Sequence, residues 1–141
     1  MKSIYSWFTG LFAPGQSQPQ NFPGIIVAKV TKVEKHPNAD RLRVVELSDG
    51  SKTIGPVVCG AWNFDVGAIV PLALPGAIIP HDQHDPQGQS FTLGKAKIRG
   101  VESQGMICSG KELGVSDDGS GILLLKDSGI VGSPFSADLI K

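Results

Sequence analysis

Two clusters of basic residues mark the places in this 141-residue chain where side chains are spaced to do chemistry. One lies in "KHPNADRLR" (35–43) and the other in "KAKIR" (95–99). Lysine and arginine neutralise anions, and several of them on one surface attract polyanions. On one face of a strand, Lys95, Lys97 and Arg99 would form a ladder with steps of about 7 Å. Such a ladder is either a solvated outer face or a polyanion-binding surface, and the pattern alone leaves both readings open.

The formal net charge is +0, so any basic surface must come from the distribution of charge along the chain. Residues 29–52 carry six Lys/Arg against four Asp/Glu, and residues 95–111 carry four against one. The segments that follow are acidic: residues 53–94 have three acids and no Lys or Arg, and residues 112–141 have five acids against two bases. If the two basic segments meet in space, the neutral chain has a cationic face.

A thiol nucleophile is the second chemistry to consider. Cys108 with His36 or His81 would supply a nucleophile and a base. The surrounding "MICSG" has no nucleophile elbow, and the two histidines belong to separate loops. Cys59 and Cys108 lack a CxxC spacing, which favours reduced core thiols in a cytoplasmic protein, although a single disulfide between them is compatible with the sequence. We expect no catalytic residue in this chain.

A metal site is the third possibility, in "HDQHD" (81–85). Two histidines three residues apart in a Gln-rich loop are a weak signal, because structural zinc needs four well-placed ligands. The loop therefore reads as solvated, and we expect neither a metal nor a cofactor.

The elements that must position these side chains are short strands. The chain has 18 Gly and 10 Pro, which recur at short intervals and favour turns over long helices. The apolar parity changes midway along "IIVAKVTKVEK", which predicts a bulged, bent first strand. "SGKELG" (109–114) predicts one capped helical turn, and "SGILLL" (120–125) a last short strand. The pattern predicts an all-β fold with short helices: an OB-fold, a five-stranded Greek-key barrel with a C-terminal extension.

Two parts of the chain differ in composition. Residues 1–21 contain an apolar, aromatic start and then the polar Pro/Gly/Gln stretch "APGQSQPQN", which predicts an N-terminal segment and linker. Residues 22–141 form the expected domain.

Three separated motifs identify a family resemblance: "VEKHPNADRLRV", "KAKIRGVESQGMICSGKELG" and "DDGSGILLL". They resemble, in order and spacing, the tRNA-binding domain at the start of bacterial phenylalanine–tRNA ligase β subunits, over roughly residues 22–139. "VVCGAWNFDVGAIVPLALPGAIIP" is also similar to the synthetase version, and "MKSIYSWF" looks like the opening of that subunit. The stretch between that opening and the domain is reduced here to "TGLFAPGQSQPQ".

The resemblance implies an accessory OB-fold that binds tRNA and is non-catalytic by itself, with ligation and editing left to the ligase α subunit and the rest of the β subunit. It implies tRNA contacts from the following residues, carried over by position: Lys35, His36, Asn38, Arg41, Lys95, Lys97, Arg99, Ser103 and Gln104. Arg43, a cation that flanks the first motif, is expected to join them. For Ser103 and Gln104, closing the barrel is an equally good reading.

The runs 42–47 and 52–58 contain no Phe, Tyr or Trp on which bases could stack. We therefore expect recognition of folded RNA through its backbone and shape. Two alternatives remain: a stand-alone, homodimeric tRNA-binding protein or chaperone, and a protein-interaction barrel that docks on a synthetase partner through residues 1–12 and Trp62. The sequence leaves open whether the chain is a fragment of a longer β subunit or a natural stand-alone protein.

Overall fold

The computed structural model of the protein describes residues 22–127 and 130–141. The expected N-terminal segment and linker at 1–21 lie outside the described residues. Among the residues that are described, no helix combines the length and the apolar character needed to cross a membrane.

Short strands dominate the described chain, as expected. The strands are β1 (Ile25–Lys35), β2 (Arg43–Ser48), β3 (Thr53–Cys59), β4 (Ile69–Ala73), β5 (Ile78–Ile79), β6 (Phe91–Thr92), β7 (Ala96–Ile98), β8 (Val101–Ser103) and β9 (Met106–Ile107). One α-helical turn, α1 (Gly110–Leu113), and one 3-10 turn (Ala137–Leu139) follow.

The central sheet has five antiparallel strands in the order β3-β2-β1-β4-β9. Its two edges approach each other, because the backbone N–H of Gln104, just before β9, donates to the carbonyl oxygen of Pro56 in β3 at 2.8 Å. A three-stranded meander whose first strand also pairs with the fourth, closed by the fifth, is the OB-fold topology. The expected OB-fold barrel is confirmed.

The first strand bends where its apolar parity changes. Its register against β2 shifts between Val30 and Lys32, so one extra residue lies on β1 there. A bulge of this kind lets a single strand pair with β4 along its first half and with β2 along its second. The predicted bulge is confirmed.

Proline in the fourth strand is tolerated in an unexpected place. Proline is usually confined to edge strands, but β4, which contains Pro71, lies between β1 and β9. Pro71 is opposite Val27, whose own backbone N–H donates away from β4, to the carbonyl oxygen of Ser133 at 2.9 Å. The Pro71 carbonyl accepts from the N–H of Cys108 on the β9 side at 3.1 Å. Pro71 therefore has no hydrogen bond to donate to β1, and this lets a proline lie in an interior strand.

Two packed layers hold the domain together, because β1 and β4 bury side chains on both of their faces. The barrel interior contains alternate residues such as Val30, Val45 and Leu72. The outer layer packs Val27 and Ile69 against the C-terminal extension and the chain around α1. In that layer the rings of Phe22 and Phe135 meet edge to face with centroids 4.9 Å apart.

Two further expectations concern the chain after β9. The capped turn is confirmed: the Oγ of Ser109 accepts from the N–H of Glu112, whose carboxylate accepts from the N–H of Ser109, and Gly114 ends the turn. The strand predicted at 120–125 is wrong, since only Leu125 forms a bridge, to Ile140. Its apolar side chains are nevertheless part of both layers, so burial and not pairing explains the apolar run.

The basic ladder is also corrected. β7 ends at Ile98, and Arg99 and Gly100 form the two-residue turn of a β7–β8 hairpin. Lys95 precedes the strand, so only Lys97 of the three basic residues lies in it, opposite Glu102. Alternation along the sequence does not detect such a turn because it assumes that the strand continues.

Candidate nucleic-acid interface

A buried histidine joins the two basic segments. His36 is 1% exposed, and its Nε2 lies 3.0 Å from the carbonyl oxygen of Ile98. Its Nδ1 accepts from the backbone N–H of Asn38 at 2.9 Å. Since a carbonyl oxygen can only accept, Nε2 is the donor of this pair and Nδ1 the acceptor of the other. His36 therefore connects the loop 36–42 to the tip of the β7–β8 hairpin.

A second contact lies beside the first. The side-chain amide of Asn38 donates to the carbonyl oxygen of Arg99 at 3.0 Å. Gly100 comes so close that a Cβ there would lie 3.3 Å from the Asn38 amide nitrogen. The expectation that the two basic segments lie side by side is confirmed. We call the loop 36–42, Lys35 and the β7–β8 hairpin with Lys95 the loop–hairpin surface.

The hairpin turn is held in an unusual conformation. Arg99 has a φ of 53° and Gly100 a φ of 92°, as in a type I′ turn. Glycine adopts this left-handed region freely, whereas a long side chain there is uncommon. Arginine is an unfavourable residue for this backbone conformation, and unfavourable local conformations are most often found at functional sites.

Five cations of the loop–hairpin surface are exposed to solvent. Lys35 is paired with Asp40 at 3.5 Å, an exposed contact of small energetic value. Glu102 partly offsets the charge of Lys97 through their cross-strand pairing. In the part of the chain that the structure describes, none of the other four takes part in an ion pair. The exposed cations are Lys35, Arg41, Lys95, Lys97 and Arg99.

Arg43 occupies the interior and not the surface. It is 9% exposed, and its guanidinium donates to the carbonyl oxygens of Ala61 and Phe64 at 3.3 and 2.9 Å. The guanidinium also lies over the rings of Trp62 and Phe64. Arg43 and His36 are both buried in the structure, and direct RNA contact by either side chain stays a prediction. Both side chains use their polar atoms inside the protein.

Ser103 and Gln104 close the barrel. Ser103 is 3% exposed; its Oγ accepts from the N–H of Val58 at 2.9 Å and donates to the carbonyl oxygen of Gly105 at 2.8 Å. Gln104 is bonded through its backbone to β3, and its side-chain amide donates to Glu102. Of the two interpretations of this pair, these contacts support barrel closure, and RNA contact by Ser103 or Gln104 stays a prediction.

Two residues that were not expected to contact tRNA, Lys52 and Trp62, border the loop–hairpin surface. Lys52 lines a groove of about 340 Å³ together with Lys95. Asp49 lines the same groove. The backbone N–H groups of Lys52 and Ser51 donate to its carboxylate and hold the pKa of that carboxyl below the usual value. The negative charge of Asp49 therefore weakens the groove as an anion site.

Trp62 is the other residue. It is 57% exposed, and its Nε1 donates to the carbonyl oxygen of Arg41 at 3.1 Å. The sequence analysis considered Trp62 only as a protein-docking residue. Its position in an aromatic loop between Gly60 and Gly67 is the sequence signal that could have placed it near the RNA.

Neither thiol has the environment of a nucleophile. Cys59 and Cys108 are buried and unpaired. Burial raises the pKa of both thiols, and the nearby Glu112 carboxylate raises that of Cys108 further. A raised pKa leaves less thiolate, the reactive form, at neutral pH.

The "HDQHD" loop uses its carboxylates to shape its own turns. Asp82 accepts from the N–H of His84, and Asp85 accepts from the N–H of Gln87. Over residues 22–127 and 130–141, no group of three His, Cys, Asp or Glu side chains is arranged to hold a metal ion.

Comparison with known sequences decides the family. The sequence model of the family described as "Putative tRNA binding domain" matches residues 25–134, which covers the barrel and most of the C-terminal extension. The chain belongs to this tRNA-binding domain family.

Curated relatives of this tRNA-binding domain are ligase subunits. The chain is 48% identical over 111 residues to the phenylalanine–tRNA ligase β subunit of Dechloromonas aromatica and 47% identical over 111 residues to that of Chromobacterium violaceum. Each alignment covers 79% of this chain and 13% of the relative. The chain therefore matches a small part of much longer proteins.

Solved structures share the fold of this tRNA-binding domain. A methionyl-tRNA synthetase-related protein from Pyrococcus horikoshii has a TM-score of 0.54 at 18% identity, covering 79% of this chain and 87% of that one. The C-terminal domain of Plasmodium vivax p43 has a TM-score of 0.51 at 22% identity, covering 82% and 64%. At these identities the likeness supports the barrel architecture alone.

Proposed function

We propose that this domain binds folded tRNA through the loop–hairpin surface, as a non-catalytic accessory module of a phenylalanine–tRNA ligase β subunit. One observation supports it above the others: His36 and Asn38 tether the two basic segments to each other. In OB-folds, oligonucleotides bind to the loop between the first and second strands and the loop between the fourth and fifth. Here these are the loop 36–42 and the connection that contains the β7–β8 hairpin.

The chemistry of the surface favours the RNA backbone as its main target. β2 reads RVVELS and β3 reads TIGPVVC, so neither middle strand offers an aromatic ring to a base. The exposed side chains are lysines and arginines on loops, which suit phosphate oxygens. A-form RNA presents its phosphates and 2′-hydroxyls in a regular shape that such a surface can match.

Three of the predicted contacts change role in this proposal. His36, Arg43 and Ser103 hold the surface in place, and the five exposed cations and Asn38 contact the RNA. Gln104 borders the groove next to Lys95 and lies at the margin of the footprint.

A domain with no net charge binds RNA weakly by itself, so useful affinity comes from a second site held nearby. We propose that this second site is the rest of the β subunit or the ligase α subunit, in keeping with the relatives. A homodimer is the competing source, and sedimentation of the isolated chain distinguishes them. A cytoplasmic location follows from the proposed ligand.

The proposal is tested by a gel shift of total tRNA against single-stranded RNA of equal length. We expect the domain to shift tRNA at the lower protein concentration. The double variant Lys97→Glu/Arg99→Glu should lose the shift, while Lys126→Glu/Lys141→Glu, with the same change in net charge in the C-terminal extension, should retain it.

Equal retention by both double variants would overturn the proposal and favour a barrel that binds a protein partner. Equal loss in both would show that net charge alone attracts the RNA, which would also overturn the assigned surface.

A further inference from the structure

The Arg43 guanidinium packs on one face of the Trp62 ring, and a large part of the Trp62 side chain is exposed to solvent. The guanidinium carbon of Arg43 lies 4.7 Å from the centroid of the Trp62 ring and 4.6 Å from that of Phe64. Arg43 is 9% exposed, whereas Trp62 is 57% exposed. A large aromatic surface is thus displayed on top of a buried cation.

The ring is also held in one orientation. Its Nε1–H donates to the carbonyl oxygen of Arg41, and the guanidinium beneath it is bonded to the carbonyl oxygens of Ala61 and Phe64, on both sides of Trp62 in the chain. A ligand that stacks on this ring therefore pays little of the side-chain entropy that a free tryptophan would lose.

Burying the Arg43 guanidinium costs free energy that an apolar core side chain would not cost. The Nε of Arg43 is buried without a hydrogen-bond partner. In the described part of the chain Arg43 also has no carboxylate in an ion pair. The attraction of the guanidinium to the two ring faces offsets part of that cost. An apolar residue would fill the same space more cheaply, which points to a use for the positive charge under the ring.

The charge selects the kind of ligand. The face of an aromatic ring carries partial negative charge, which attracts cations. Because the Arg43 guanidinium already lies against one face of Trp62, the other face attracts a lysine or arginine of a second protein only weakly. The same positive field favours an electron-rich ring that carries phosphate. Arg41, whose carbonyl oxygen accepts the Trp62 hydrogen bond, is exposed on the loop–hairpin surface and adds a second cation near the ring.

We propose that the exposed face of Trp62 is a stacking platform for one unpaired nucleobase of the bound RNA, with Arg41 at the adjoining phosphate. The inference rests on the proposed function and deepens it: the loop–hairpin surface holds the backbone of paired RNA, and Trp62 binds a base at the end or in a loop of that RNA. Unpaired bases stacked on aromatic side chains are a common mode of RNA recognition.

The test compares two RNAs, a blunt duplex and the same duplex with a short single-stranded 3′ extension. We expect the native chain to bind the extended duplex about tenfold more tightly, the effect of one stacked base. Trp62→Ala should remove this advantage and leave binding of the blunt duplex unchanged. Trp62→Phe, which keeps a ring but lacks the N–H, should retain most of it, and Val66→Ala, an exposed apolar change in the same loop, all of it.

Fluorescence gives an independent readout. The chain has two tryptophans, so a Trp7→Phe background leaves Trp62 as the sole reporter. The extended duplex should quench its emission, and the blunt duplex should not.

Two outcomes would overturn the inference while the proposed function stands. In one, Trp62→Ala binds both RNAs as the native chain does. In the other, Trp62→Ala weakens both equally and lowers the melting temperature, so the ring only supports the loop. If the native chain binds neither RNA and no tRNA, the proposed function fails as well, which the charge-reversal experiment shows separately.

Discussion

The side-chain amide of Asn38 donates a 3.0 Å hydrogen bond to the carbonyl oxygen of Arg99, which is 61 residues away in the chain. With the contact between His36 and Ile98, it brings together two basic segments that lie apart in the sequence. A cationic surface on a chain with no net charge depends on these two contacts. The predictions below test their consequences.

Replacing His36 with alanine should destabilise the domain and weaken RNA binding together. The change leaves the N–H of Asn38 and the carbonyl of Ile98 without their partner and opens a small cavity, at a cost of about 2–3 kcal/mol. Chemical denaturation and a tRNA titration below the unfolding transition measure the two effects. The exposed His84 is the control position, and His84→Ala should leave both unchanged. Undiminished tRNA affinity in folded His36→Ala would contradict the tethering role.

Arg99→Asn should weaken RNA binding without lowering the stability of the domain. Asn-Gly is the favoured pair for a type I′ turn, so the variant relaxes the left-handed backbone at φ 53°. We expect stability that is unchanged or raised by up to about 1 kcal/mol and an RNA affinity that falls through loss of one phosphate contact. Thermal melts and filter binding are sufficient. A variant that melts lower than the native chain would show that the turn needs the arginine for structure.

Ser103→Ala should affect stability alone. The substitution leaves the buried N–H of Val58 without an acceptor and the carbonyl of Gly105 without a donor, at a cost of about 1–3 kcal/mol. Under native conditions the folded variant should bind tRNA like the native chain, and Ser90→Ala, at an exposed position, should change neither quantity. A selective loss of tRNA affinity with native stability would return Ser103 to the interface.

Binding to tRNA should depend moderately on salt. Five exposed cations, two of them partly neutralised by Asp40 and Glu102, can release the counterions of about four or five phosphates. The slope of log K against log salt concentration should lie between about −3 and −5. Titrations at a series of potassium chloride concentrations measure it. A slope flatter than about −2 would mean that phosphate neutralisation is not what holds the RNA.

The buried thiols should lower stability at alkaline pH. Burial raises the pKa of Cys108 in the folded state above its ordinary value of 9.0. The unfolded chain therefore ionises first, and the stabilisation present below pH 9.0 is lost as pH rises above it. The loss per thiol is at most about 1.4 kcal/mol per pH unit. Denaturation of the native chain and of Cys108→Ala from pH 8 to 10 should show a gap that narrows with pH; a constant gap would contradict the shift.

Local patterns predicted the parts of the fold that local rules control. The change of parity in the first strand required a bulge, and Ser109 with Glu112 required a capped turn, because each depends on neighbours in sequence. The hairpin turn at Arg99 was not predicted, since a basic residue seldom adopts a left-handed backbone. For Arg43 the signal was present: it shares strand parity with Val45 and Leu47, which are both buried.

By itself, the sequence determined the barrel, the family and the two basic segments, because strand periodicity, turn residues and motif order are all written along the chain. Only the tertiary structure decided which polar side chains of those segments face solvent. His36 and Ser103 are buried by the segments that pack on them from far away in the chain. Burial is a property of contacts between distant segments, and spacing along one segment does not contain it.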